Sequence, residues 1–147
     1  MRIAIVSSMF NEEISNNLIS GALQCYKDIT NQDFDKLHVF KVPGAFEIPF
    51  FVKNLLSKSS NDFDAVVTLG CVIKGETAHF EYISESVTNA IMELNLNRSS
   101  NIPIIYGVLT TYNYEQALNR CLNDKTNKGY EVMDSAIKMI DLNNSLE

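Results

Sequence analysis

Apolar and polar positions along the chain alternate between two periods. Residues 2–7 are a short apolar run rich in β-branched side chains, which predicts a strand. From Glu12 the period lengthens, and Ile14, Leu18, Ala22, Tyr26 and Ile29 recur at helical spacing. A second strand over 37–42 and a second helix over 47–58 repeat the pattern. Residues 65–69 read Ala-Val-Val-Thr-Leu, a third strand without polar alternation, as expected where helices cover both faces of a parallel sheet. Phe80, Ile83, Val87, Ile91 and Leu94 mark a third helix, and a polar loop over 97–101 leads to a fourth strand over 103–109. Helices over 114–122 and 128–142 complete the chain, and its last residues are expected to fray. Alternation of strand and helix implies an α/β fold, a three-layer αβα sandwich. Its four parallel strands are predicted in the flavodoxin-like order 2-1-3-4. Neither a repeat nor a linker divides the sequence, so residues 1–147 are read as a single domain.

Composition narrows this picture. With 147 residues, 46% of them apolar, the chain can bury one sizeable core. No stretch approaches the roughly 18 unbroken apolar residues of a membrane span. The apolar opening stops at Ser7-Ser8-Met9-Phe10-Asn11, too soon for a signal peptide, so a cytoplasmic location is expected. A net charge of −6 with no basic run gives nucleic-acid binding no electrostatic support. Cys25, Cys71 and Cys121 have neither disulfide-framework nor zinc spacing, and with two histidines no metal site is expected.

In an open parallel sheet, ligands bind at the carboxyl ends of the strands. That rule selects four loops, 8–11, 43–47, 70–79 and 110–113, before any motif is considered. Gly75-Glu76-Thr77 just before a helix would turn free backbone N–H groups and a hydroxyl towards an anion. His79 starts that helix, and imidazoles titrate near pH 6.5, which suits proton transfer beside a bound phosphate. The blander alternative is a plain turn with a capping histidine. Phe10 and Phe46 follow strands, where a flat ring can stack on a planar heterocycle, although most phenylalanines fill cores. Glu47 either favours a helix macrodipole or accepts hydrogen bonds from sugar hydroxyls. Arg120, Lys125 and Lys128 are, by themselves, ordinary solvated charges. Cys71 has only Lys74 nearby to activate it and is read as a small buried thiol, while His38, at the start of a strand, is read as structural or exposed.

Taken in order, these loops resemble the lumazine synthase family along nearly the whole chain. The matching runs are Phe10-Asn11, Val-Pro-Gly-Ala-Phe-Glu-Ile-Pro at 42–49 and Gly-Cys-Val-Ile-Lys-Gly-Glu-Thr-Ala-His at 70–79. Tyr-Gly-Val-Leu-Thr-Thr at 106–111, Glu-Gln-Ala-Leu-Asn-Arg at 115–120 and Asn-Lys-Gly-Tyr-Glu at 127–131 follow. The resemblance implies condensation of 5-amino-6-(D-ribitylamino)uracil with 3,4-dihydroxy-2-butanone 4-phosphate, releasing phosphate and water, without a cofactor or metal. It implies that Phe10 stacks on the pyrimidinedione. The backbone of Ala45, Phe46 and Glu47 and of Cys71, Val72 and Ile73 would bind the ring's polar edge, with Glu47 also holding the ribityl chain. Glu76, Thr77 and Arg120 would bind phosphate, and His79 would transfer protons. Tyr106 and Arg120 would reach the pocket from an adjacent subunit of a homopentamer.

Several positions depart from the family pattern. Tyr106 stands where phenylalanine is usual, Lys74 and Met9 where arginine is common, and Ala78 where proline or threonine precedes the histidine. In some relatives pentamers pack into 60-subunit shells. The uninterrupted connection over 120–129 permits a shell, whereas a chain starting directly at the core strand favours the free pentamer. The rivals are an archaeal-type riboflavin synthase, a flavodoxin-like FMN-binding module and an inactive shell scaffold.

Overall fold

A computed structural model describes residues 1–58, 62–96 and 101–146, with the side chain of residue 37 left aside. Strands β1 (Ile3–Ser8), β2 (Val39–Val42), β3 (Ala65–Ile73) and β4 (Ile104–Thr111) form one sheet in the order β2-β1-β3-β4. All three pairings are parallel, with Ile5 beside Val39, Ile3 beside Ala65 and Val66 beside Ile104. The helices are α1 (Glu12–Thr30), α2 (Ile48–Lys58), α3 (His79–Leu96), α4 (Tyr114–Asn119) and α5 (Lys128–Asn144). This is the flavodoxin-like arrangement expected from the sequence.

Both sheet faces are covered, and the strands show how. Ile3 and Ile5 enter a core with α1, α4 and α5, while Ala4 and Val6 between them enter a second core with α2 and α3. Ala65, Val67 and Leu69 face the first core and Val66 the second. Period-two alternation persists, but both phases are apolar because neither meets water.

Several predicted boundaries move. The reading over 65–69 stops β3 at Leu69, yet the strand runs four residues further, with Gly70 and Cys71 paired to Val108 and Leu109. Glycine ordinarily weakens a strand. Here it makes room, since a Cβ on Gly70 would lie 2.7 Å from Ser8 Oγ. β4 likewise extends to Thr111. β1 begins and ends one residue later than 2–7, and β2 is shorter than 37–42 because Lys36–His38 form a 3₁₀ turn. His38 therefore closes a turn before the strand, its ring edge-on to Phe63 at 5.1 Å. Residues Ala45–Glu47 are also a 3₁₀ turn, ahead of α2, whose first turn accommodates Pro49. α4 stops at Asn119, short of the predicted 122, and α5 holds to Asn144 where fraying was expected from 142. Of the expected loop 97–101, residues 97–100 lie outside the described residues.

Candidate active site

The carboxyl ends of β1, β2 and β3 converge on a cleft of about 640 Å³. Its first wall is a rigid turn. Asn11 takes left-handed backbone, φ 57° and ψ 57°, a conformation asparagine tolerates better than most residues. Its amide Nδ2 donates to the Cys71 carbonyl at 3.1 Å, tying this turn to β3. Phe10 N donates to the Pro43 carbonyl at 3.2 Å, and Ser15 Oγ donates to the Phe10 carbonyl at 3.3 Å. A ring 71% exposed is thus presented on a fixed backbone. Phe46, 57% exposed, is a second open aromatic, on the turn entering α2. Burial energetics favour covering such rings, so their exposure together in one cleft marks a surface for a flat apolar ligand.

The cleft's floor is the end of β3, with Cys71, Val72 and Ile73, and its far end is Gly75, Thr77 and His79. Thr77 Oγ1 accepts from the His79 backbone N–H at 3.4 Å, so the α3 N-terminus opens at this end. Burial pushes the Cys71 thiol up to about 11, against a weaker opposing hydrogen bond from Thr111, so it remains protonated at neutral pH. That agrees with a small buried thiol. No described glycine takes left-handed backbone. Among the described residues only Asn11 and Asn31 do so.

Not every predicted site residue meets the others within one chain. Ala45, Phe46, Glu47, Thr77 and His79 line the cleft with Phe10 and the β3 end, whereas Glu76 shares the loop without lining it. Tyr106 and Arg120 line a different cleft of about 360 Å³, together with Lys128. Lys125 lies in neither, beside a small hollow near Gly21 and Tyr130. Arg120 caps the end of α4, and its carbonyl accepts from Lys128 N at 2.7 Å. The Tyr106 hydroxyl lies 2.9 Å from Thr88 Oγ1, which itself donates to the Ser84 carbonyl at 2.7 Å. Burial raises the Tyr106 pKa. The hydroxyl added at this position is therefore bound to α3 of its own chain.

Asn11, Gly44, Phe80 and Ile83 also line the main cleft, and sequence reasoning gave them no site role. Phe80 and Ile83 fit a helix-core pattern, which hides that the first turn of α3 overhangs the site. For Asn11 a signal existed, an asparagine between a strand and a helix where left-handed backbone is common.

The model of the 6,7-dimethyl-8-ribityllumazine synthase family matches residues 1–144. The chain belongs to this family. A 6,7-dimethyl-8-ribityllumazine synthase of Limosilactobacillus reuteri (strain DSM 20016) is 43% identical over 144 residues, 98% of this chain and 90% of the relative. The activity is accordingly that of a lumazine synthase, a transferase of riboflavin biosynthesis acting on small-molecule substrates. No described helix is long and apolar enough to cross a membrane.

Proposed function

We propose that the two clefts are halves of one active site, completed where neighbouring subunits of a homopentamer meet. The observation carrying this reading is the separation of Tyr106 and Arg120 from the cleft that holds Phe10 and His79. In the proposed complex the pyrimidinedione stacks on Phe10, its polar edge against the backbone of Ala45 to Glu47 and Cys71 to Ile73. Glu47 accepts from the ribityl hydroxyls. The butanone phosphate sits at the α3 N-terminus, held by Glu76, Thr77 and the neighbour's Arg120. His79 moves protons as the amine attacks the ketone, an imine forms with loss of water, phosphate leaves and the ring closes with loss of a second water. Much of the acceleration comes from orientation, since the reactants supply the nucleophile and the leaving group. One domain carries all of this, in the cytoplasm and without a cofactor.

The test mixes purified protein with both substrates and follows lumazine absorbance against an enzyme-free control. Acceleration that is lost in Arg120→Ala supports the phosphate role. Wild-type kinetics in both His79→Ala and Arg120→Ala would remove the site assignment. A solution mass near the 16.5 kDa monomer would remove the shared site.

A further inference from the structure

We propose that Lys74 and Glu81 form a clasp that positions the loop over 75–79, and that Lys74 is a positioning residue rather than a phosphate ligand. The inference rests on the reading of Thr77 and His79 given above. That loop is exposed along its whole length. Outside the α3 ladder, the hydrogen bonds described for it are long, 3.4 Å from His79 N to Thr77 Oγ1 and 3.4 Å from Tyr82 N to the Ala78 carbonyl. Such contacts do little to fix the segment that leads into His79.

The two flanks of the loop are held much better. Lys74 N donates to the Thr111 carbonyl at 2.9 Å, anchoring the loop's start to the end of β4. Lys74 Nζ then reaches across the loop to Glu81 Oε1, 2.8 Å away in the first turn of α3. The same ammonium lies 6.0 Å from the Phe80 ring centre and 5.8 Å from that of Tyr112. These two rings are 6.2 Å apart and tilted by 43°. One cation is therefore shared by a carboxylate and two aromatic faces, and it spans the segment bearing Thr77 and His79. An exposed ion pair is weak when isolated, because water screens it and side-chain entropy opposes it. Here the cation also has two ring contacts and a main-chain anchor, and it closes a short loop at small entropic cost.

The same geometry occupies the lysine's charge. Lys74 does not line the cleft. Each partner stabilises the other's ionised form, raising the lysine pKa and lowering that of the glutamate. In the fold the Lys74 ammonium is engaged by Glu81.

The test is steady-state kinetics of the intact enzyme, with inorganic phosphate as an inhibitor and His79→Ala run alongside. Lys74→Met and Glu81→Gln should each lower kcat/KM for the butanone phosphate about 3- to 10-fold, the scale expected of a misplaced loop. Both should weaken phosphate inhibition together. Lys74→Arg should restore function, and the charge-swapped pair K74E/E81K should recover most of it. Weaker phosphate inhibition in Lys74→Met but not in Glu81→Gln would overturn the proposal, making the lysine a ligand. A lower melting temperature with unchanged kinetics in both would overturn it as well. If His79→Ala loses activity while the clasp variants do not, the clasp alone fails. If His79→Ala behaves as wild type, the site reading fails with it.

Discussion

The two faces of the sheet carry helices of very different burial. On one face α1 buries Ile14, Leu18, Ala22, Cys25 and Tyr26, and α5 buries Val132, Met133, Ala136, Ile137 and Ile140. On the other, α3 runs 18 residues and fully buries only Val87 and Ile91. Tyr82, Met92 and Leu96 on α3 stay 71%, 56% and 73% exposed, and Phe50 on α2 stays 70% exposed. The α1 and α5 pattern is largely satisfied inside the chain, with Ile29, Met139 and Leu142 left exposed towards the helix ends. The α2 and α3 layer carries more apolar surface than one chain covers, which usually marks contact with another molecule. The main cleft opens beside this second layer, between the turn entering α2 and the first turn of α3. Site and uncovered surface are thus neighbours, as a subunit-shared site requires.

The largest effect is expected from charging the open layer. Met92→Asp combined with Leu96→Asp should shift the light-scattering mass from an oligomer to smaller species. It should also cost activity about 100-fold, the scale of losing one stabilising group at the reacting centre. An unchanged mass would show that this layer is not the interface.

Mixing subunits sharpens the same point. Assemblies formed from equal amounts of His79→Ala and Arg120→Ala should regain about a quarter of wild-type activity, since random neighbours in a ring restore that share of intact sites. A site built within one chain would regain none.

On the closed layer, Gly129→Ala should destabilise by about 3 kcal/mol in chemical denaturation, because overpacking a core contact forces the backbone apart. The added Cβ would lie 1.9 Å from the Leu18 carbonyl oxygen, where α5 meets α1. Stability close to wild type would show that this contact yields easily.

A milder effect follows from pH. Burial raises the Cys25 thiol from 9.0 to about 11, Asp134 and Asp28 adding to the shift, and Cys71 moves over the same range. The folded chain then holds protons that the unfolded chain releases, so stability should be full below pH 9 and decline as pH rises towards 11. Cys25→Ala with Cys71→Ala should flatten that part of the denaturation profile.

The smallest effect is expected for Tyr106→Phe. Its hydroxyl is bonded to Thr88, so activity should change less than about 3-fold and stability by about 1 kcal/mol, one hydrogen bond's worth. A large change in substrate KM would place that hydroxyl on the ligand instead.

The sequence by itself determined the order of strands and helices and the α/β class, because hydrophobic period and local propensity are properties of neighbouring residues. It also determined the four loops at the strand ends, since chain direction in a parallel sheet assigns them, and its motifs were specific enough to identify the family. Only the tertiary structure decided where β3 ends, because the Gly70 main chain is held by β4 and its missing side chain leaves room for Ser8. The fold also decided that Asn11 ties Phe10's turn to Cys71, that the Tyr106 hydroxyl binds Thr88, and that Lys74 is taken by Glu81. Each of these depends on the spacing of atoms between separate elements, or on the geometry of a turn, and no local pattern of residue types encodes such distances. Tyr106 and Arg120 mark the same boundary: their motifs name them as site residues, yet the folded chain sets them in a separate cleft.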